Sequence, residues 1–254
     1  MQLLVSVRSA AEAAAAIAGG ADIVDAKEPH AGALGAVSIE VLREIAAAVD
    51  RDVPVSAAIG DAVDEATVER SASAFAAAGA WFVKVGFNGV NSEARVAALA
   101  SAAVRGAGNG SAGRCGVVLA GYADADPEAN VSAAALVEIA ARAGARGVLL
   151  DTAHKQGLGL RALIDRDALA AFVECAHAFG LFAALAGSLT PDDLPFVQEV
   201  GADIAGVRGA ACDGGRTGRV TAARVRALRN HEDTKTHEGT KFFLYKKDKF
   251  FVSS

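Results

Sequence analysis

Short apolar runs rich in β-branched residues alternate along the chain with longer, Ala-rich amphipathic stretches. The runs at 3–7, 22–25, 53–57, 82–85, 116–119, 147–151, 182–186 and 204–207 predict eight strands. Between them, apolar positions recurring every three to four residues predict helices over 9–18, 38–49, 64–78, 92–104, 131–143, 167–179 and 191–200. A last helix over 221–229 follows the eighth strand. Several strands are entered through one small phrase: Gly20-Ala21-Asp22-Ile23, Gly79-Ala80-Trp81-Phe82, Gly144-Ala145-Arg146-Gly147 and Gly201-Ala202-Asp203-Ile204. A glycine after the last helical residue supplies a left-handed cap, and the small residue beside it lets the chain turn back onto the sheet. Eight such repeats fit either a closed (β/α)8 TIM barrel or an open doubly wound sheet. The first strand-to-helix turn, Arg8-Ser9-Ala10-Ala11-Glu12, lacks a glycine-rich dinucleotide fingerprint, which favours the α/β barrel.

The 254 residues are 52% apolar and 22% charged with a net charge of −5, which suits one globular domain able to bury a core without disulfides or metal. Residues 1–230 form that expected domain. From His231 the composition shifts to Lys, Phe and Thr, and 241–252 holds four of the eleven Phe. Such a tail reads either as an appended or frameshifted extension outside the native barrel, or as a basic-aromatic segment for a partner or membrane surface. Its apolar residues have no clean helical period, which favours the first. An acidic body without Lys/Arg clusters argues against nucleic-acid or anionic-membrane binding. Cys115, Cys175 and Cys212 are odd in number and widely spaced, as reduced cysteines in a cytoplasmic protein would be. The start lacks the charged and apolar regions of a signal peptide, and no stretch is long enough to span a bilayer, so cytoplasm is the expected location. No P-loop or metal-ligand spacing is present, and neither cofactor nor metal is expected. A homo-oligomer is compatible with all of this.

Lysine is the scarce residue. Eight lysines stand against seventeen arginines, and only Lys27, Lys84 and Lys155 lie in the first 230 residues. In a barrel, chemistry is expected at the carboxyl ends of the strands, and all three map there. If strand ends and following loops make up about a quarter of the chain, chance places all three there about one time in a hundred. Asp25 ends the second strand with Lys27 two residues on, so extended geometry points both to one side. Asp151 ends the sixth strand, with His154 and Lys155 in the next loop. An Arg-rich composition explains scarce lysine, but it sharpens the meaning of those retained, because only lysine gives up its proton or forms a Schiff base. For Lys84, within Trp81-Phe82-Val83-Lys84-Val85-Gly86, the alternative is a snorkelling or salt-bridged strand residue. His154 is placed to titrate or donate near the rim.

A second constellation concerns phosphate. Ala186-Gly187-Ser188-Leu189-Thr190 follows the seventh strand, and Gly206-Val207-Arg208-Gly209-Ala210 the eighth. Barrels often hold a substrate phosphate between these loops, so Gly187, Ser188, Gly209 and Arg208 are the candidates; Gly-rich turns are also ordinary connections.

Asp25-Ala26-Lys27-Glu28-Pro29 followed by Gly32-Ala33-Leu34-Gly35, then Phe82-Val83-Lys84-Val85-Gly86 and Leu150-Asp151-Thr152-Ala153-His154-Lys155, resembles the (5-formylfuran-3-yl)methyl phosphate synthase family over essentially residues 1–230. The tail has no counterpart there. The resemblance implies a TIM-barrel lyase that condenses two glyceraldehyde 3-phosphate molecules, with loss of phosphate and water, into the furan precursor of methanofuran or methylofuran. It also implies that Lys27 forms the Schiff base, that Lys84 acts in proton transfer, and that Asp25, Asp151 and Lys155 line the site. Imine chemistry would make Lys27 an electron sink for an enamine that attacks the second aldehyde. Lys155 would clamp or help expel a phosphate. Two other readings stay open: a class I aldolase-type barrel on another sugar phosphate, and a non-catalytic phosphosugar-binding barrel.

Overall fold

The computed structural model describes residues 1–233. Eight parallel strands close into a barrel in sequence order: β1 (Gln2–Val7), β2 (Ile23–Ala26), β3 (Val55–Asp61), β4 (Phe82–Gly86), β5 (Gly116–Tyr122), β6 (Gly147–Asp151), β7 (Phe182–Leu185) and β8 (Ile204–Val207). The helices are α1 (Ala10–Ala18), α2 (Ile39–Ala47), α3 (Glu65–Ala77), α4 (Glu93–Ser111), α5 (Ala133–Ala143), α6 (Leu160–Leu163), α7 (Arg166–Ala178), α8 (Leu194–Glu199) and α9 (Ala222–Asp233). A two-stranded ribbon, β9 (Cys212–Asp213) with β10 (Arg219–Val220), follows β8. The predicted (β/α)8 barrel is the fold. The break expected at His231 falls inside α9; positions 234–254, most of the predicted tail, lie outside the described residues.

Local chemistry explains the repeat. Ser9, Ser38, Asp64, Ser92, Ser132 and Asp165 each sit just before a helix and accept a hydrogen bond from a first-turn N–H. At the other ends, Gly20, Gly79, Gly144 and Gly201 adopt positive φ of 97°, 107°, 76° and 83°, the left-handed turn back to the next strand.

Strand alternation sorts the core. Val5, Val24, Val83, Leu119, Leu150 and Leu185 point out and pack under the helices. Leu4, Ile23, Val118, Leu149, Ala184 and Ile204 point in and fill the barrel. At the amino end of the barrel Phe82 and Phe182 meet edge to face, with ring centroids 5.5 Å apart. Gly116 and Gly147 make room for them: a Cβ on Gly116 would lie 2.9 Å from the Phe82 ring, and one on Gly147 would overlap the Phe182 ring. The two rings floor the cavity above.

Three elements outrun the pattern. Strands β3 and β5 continue to Asp61 and Tyr122, where the apolar runs have ended but neighbouring strands still pair with them. Helix α4 continues past its expected end at 104 to Ser111 through Gly106, Gly108 and Gly110. Glycine reads as a helix breaker, yet here it sets helix contact. A Cβ on Gly106 or Gly110 would run into the Glu69 or Ser73 carbonyl oxygen of α3. Gly108 faces open space.

These contacts give a test with opposite signs in one helix. Gly108→Ala should stabilise by up to about 1 kcal/mol through helix propensity alone. Gly106→Ala should destabilise by about 1–3 kcal/mol, because overpacking outweighs that gain. Denaturant melts of the two variants measure both, and two shifts of the same sign would refute the close α3 to α4 contact.

Candidate active site

The inward side of each strand ends in chemistry. On β1, β2, β3 and β4 the alternation carries Ser6, Asp25, Ser56 and Lys84 into the barrel, and β6 adds Asp151. Asp25 is wholly buried and accepts hydrogen bonds from Ser6 Oγ (2.9 Å) and Ser56 Oγ (2.7 Å). Lys84 Nζ lies 2.7 Å from its Oδ2. Asp25 is thus saturated from its own strand's two neighbours and from β4, and it anchors the Lys84 ammonium group.

Asp151 serves two lysines. Its Oδ1 takes the Lys155 ammonium in a close contact and the Thr152 N–H at 2.8 Å. Its Oδ2 lies 3.9 Å from Lys27 Nζ. Burial alone would raise the Asp151 pKa, but Lys155 and Lys27 together hold it below the ordinary value. Burial is the main force on Lys27 as well. It lowers the amine from 10.5 to about 7, the attraction of Asp151 being partly cancelled by Lys84 and Lys155. Lys155 is also lowered, again chiefly by burial. Three amines therefore share two carboxylates, and Lys27 is the one held at 3.9 Å rather than at hydrogen-bond distance.

Lys27, Lys84, Asp151 and Lys155 line one cavity of about 360 Å³ at the carboxyl ends of the strands. Gly187, Ser188 and Gly209 line it too, so the amine cluster and both glycine-bearing loops open into the same space. Gly187 has φ of 110°, and a Cβ there would approach Thr152 Cγ2 to 2.9 Å. Ser188 is left-handed at φ 54°, a conformation uncommon outside glycine.

Two candidates are placed differently from the expectation. Arg208 touches the cavity, but its guanidinium is spent on the protein: Nε donates to Arg216 O, Nη1 to Ser6 O and Glu12 Oε2, and Nη2 to Glu12 Oε1 and Gly218 O. All five donors a guanidinium has are committed, which leaves none for a phosphate. Arg208 and Glu12 form a buried pair that ties α1 to the chain after β8; removing either partner alone costs about 3–5 kcal/mol. His154 turns away from the cavity, with a 79% exposed side chain and Nδ1 3.1 Å from Asp124 Oδ2.

Other residues of the site carry no clear mark in the sequence. Ser6 and Ser56 are hydroxyls at inward strand positions, a signal that alternation carries once strand boundaries are known. Arg216 lines the cavity from the β9 to β10 connection. Tyr122 donates to Asp61 Oδ1 (2.7 Å) across the top of β4, where Gly86 leaves the room. Among the described residues no three His, Cys, Asp or Glu side chains are grouped to hold a metal ion, and no helix is long and apolar enough to cross a membrane.

Barrel and site together define a (β/α)8-barrel enzyme. The chain belongs to the 4-HFC-P synthase family, whose profile matches residues 3–229. It is 40% identical over 232 residues to the (5-formylfuran-3-yl)methyl phosphate synthase of Methanocaldococcus jannaschii, covering 90% of this chain and 98% of that protein. A putative synthase of the same name from Streptomyces griseus is 43% identical over 215 residues, covering 84% and 86%. Among solved structures, 3-hexulose-6-phosphate synthase superposes with a TM-score of 0.61 at 24% identity, covering 90% of this chain and 99% of that one. KGPDC from Streptococcus mutans gives 0.62 at 15%, covering 91% and 96%. At these identities the two structures share the fold.

The Lys27 environment predicts an amine that titrates near neutrality. Labelling by an amine-selective reagent, followed on the Lys27 peptide by mass spectrometry, should show a midpoint near pH 7. Asp151→Asn should move it down and Lys155→Met up, since Asp151 raises and Lys155 lowers the Lys27 pKa. The unfolded chain keeps this proton to about 10.5, so between about 7 and 10.5 it binds more protons than the folded one. Lys27 therefore makes folding more favourable as pH rises through that window. A midpoint above about 9 would contradict the burial.

Proposed function

We propose that the chain is a (5-formylfuran-3-yl)methyl phosphate synthase that condenses two glyceraldehyde 3-phosphate molecules through an imine on Lys27. The observation that carries this reading is the Lys27 amine. It is buried in a phosphosugar-sized cavity, is lowered to about 7, and stands apart from the carboxylate that its neighbour Lys155 occupies. Such an amine is unprotonated in useful amount at neutral pH and can attack an aldehyde.

The product's skeleton constrains the steps. Joining C3 of one triose to the aldehyde carbon of the other would give an unbranched chain and a 2,5-disubstituted furan. The 5-formyl-3-methyl phosphate pattern instead requires a bond from C3 of one triose to C2 of the other. Aldehyde attack, the expectation from aldolase chemistry, is therefore replaced by addition to a second glyceraldehyde 3-phosphate that has first isomerised to its 2-keto form, its C2 proton moving to C1 and its C2 hydroxyl proton to the former aldehyde oxygen. The imine on Lys27 forms with loss of water, and its C2 proton is removed. Electrons then flow through C2 to expel phosphate from C3, which leaves an enol nucleophilic at C3. This carbon adds to the C2 carbonyl of the second triose, whose oxygen takes a proton. The C1 hydroxyl of the second triose closes onto C2 of the first. Two dehydrations make the ring aromatic, and hydrolysis of the imine returns the water lost at its formation. The sum is one phosphate and two waters released, with no external oxidant or reductant.

In this reading Lys84, anchored by Asp25, moves protons at C2 and at the carbonyl oxygen of the acceptor. Lys155, bridged to Asp151, opposes the charge on the departing phosphate. Gly187, Ser188 and Gly209 receive the phosphate that the product retains.

Borohydride added with glyceraldehyde 3-phosphate should fix a triose-derived mass on the Lys27 peptide, and Lys27→Arg should abolish both the adduct and turnover. A conjugated furan absorbance should appear with the wild type. Its absence alongside a trapped imine would assign the barrel to an aldolase on another sugar phosphate. Lys84→Arg should retain the imine but lose turnover by about a hundredfold or more; full activity in that variant would remove Lys84 from proton transfer.

A further inference from the structure

Five cationic side chains line the cavity: Lys27, Lys84, Lys155, Arg208 and Arg216. Among the described residues, the first four each face a carboxylate within ion-pair distance: Asp151 for Lys27 and Lys155, Asp25 for Lys84, and Glu12 for Arg208. Arg216 has no such carboxylate among the described residues. Its Nη1 donates to Pro29 O and its Nη2 to Gly32 O at 2.7 Å. These use two of the five N–H donors of a guanidinium and leave three, including Nε, beyond what the loop carbonyls take. Arg216 is also close enough to Lys155 and Arg208 to be felt electrostatically by both groups. Burial and the charge of Arg208 lower its pKa. Asp151 and Glu28 act on it in the opposite sense, but neither is in ion-pair contact with it; a half-buried cation set beside two others and bonded only to carbonyl oxygens is a position that an anion completes.

We propose that Arg216, with Lys155, receives the phosphate that leaves the imine-bound triose, a second anion site separate from the Gly187 and Gly209 loops. The assignment rests on the phosphotriose reading above. It divides the two phosphates by chemistry. The retained phosphate needs neutral donors that hold it through the whole reaction. The departing one needs positive charge that grows in value as the bond from C3 to oxygen breaks, which Lys155 and Arg216 supply. Arg208 cannot share this work, because its donors are already committed to Glu12 and three carbonyl oxygens.

The carbonyl contacts add a consequence. Pro29 and Gly32 belong to the loop that begins directly after Lys27, and its Leu34 is buried among the inward-facing barrel residues. An anion on Arg216 is therefore held by a group that also grips the segment leading from the imine lysine.

Arg216→Gln and Arg216→Lys test this with three probes: inorganic phosphate, glyceraldehyde 3-phosphate and unphosphorylated glyceraldehyde. Calorimetric binding of inorganic phosphate should weaken roughly tenfold or more in Arg216→Gln and less in Arg216→Lys. Borohydride trapping on Lys27 should fall for glyceraldehyde 3-phosphate by a similar factor, while trapping of glyceraldehyde stays within about twofold of wild type. Unchanged phosphate affinity in Arg216→Gln overturns the site. Equal loss with both aldehydes also overturns it, because Arg216 would then only hold the loop. A wild type that binds phosphate through Arg216 but never makes the furan retires the synthase reading and leaves the anion site standing. A furan-producing wild type with an indifferent Arg216→Gln does the reverse.

Discussion

Three lysine nitrogens are buried at the mouth of the barrel against two carboxylates, and the rest of the site follows from that imbalance. Removing an ammonium group from water costs several kcal/mol unless a partner returns most of it. Asp25 does so for Lys84 at 2.7 Å, and Asp151 does so for Lys155. Lys27 is left with the far oxygen of a carboxylate already engaged. Burial against that one distant oxygen is what lowers the Lys27 amine to about 7, so it gives up its proton readily near neutrality. No special residue type is needed for this, only a count of charges and a dry place to put them.

The barrel supplies the dry place and keeps the count fixed. Its amino end is closed by Phe82 and Phe182 packed into the space left by Gly116 and Gly147. Asp25 is held by hydroxyls from the strands on either side, so its orientation is set by the sheet register rather than by a loop. Lys84 takes its direction from Asp25 in turn. Loops are the more variable parts of such a fold, and here the loop after β2 is tied down by Arg216 and by buried Leu34. Asp25, Asp151 and Lys84 thus stand on strands, while Lys27, Lys155 and the groups suited to phosphate stand at the strand ends and on the connections that follow.

Much of this is legible along the chain because alternation by two persists through strand ends. It aligns Asp25 with Lys27 and carries Lys84 and Asp151 to the same rim. What alternation does not report is a side chain's partner. Arg208 continues the inward face of β8 and so reads as a phosphate ligand; its carboxylate, Glu12, lies 196 positions away on α1. His154 and Lys155 are sequence neighbours, yet Asp124 takes one outward and Asp151 takes the other inward. Ser6 and Ser56 carry the right period but look like ordinary strand hydroxyls until Asp25 is between them. Gly106 and Gly110 mislead for a related reason: a glycine that ends a helix and one that admits a second helix are the same letter.

The division between arginine and lysine runs through the whole site. Arg208 and Arg216 each bind several fixed oxygens at once, work for a planar guanidinium whose charge is constant. Lys27, Lys84 and Lys155 each face one carboxylate, and burial lowers the pKa of Lys27 and Lys155. In a chain with seventeen arginines against eight lysines, substitution of lysine by arginine is plainly tolerated wherever a surface cation suffices. At Lys27 and Lys155 a guanidinium would fix the charge that burial makes easier to lose. The scarcity of lysine in the body of the chain therefore follows the chemistry of the cavity, where a cation that never releases its proton can hold a substrate but cannot become the nucleophile that attacks it.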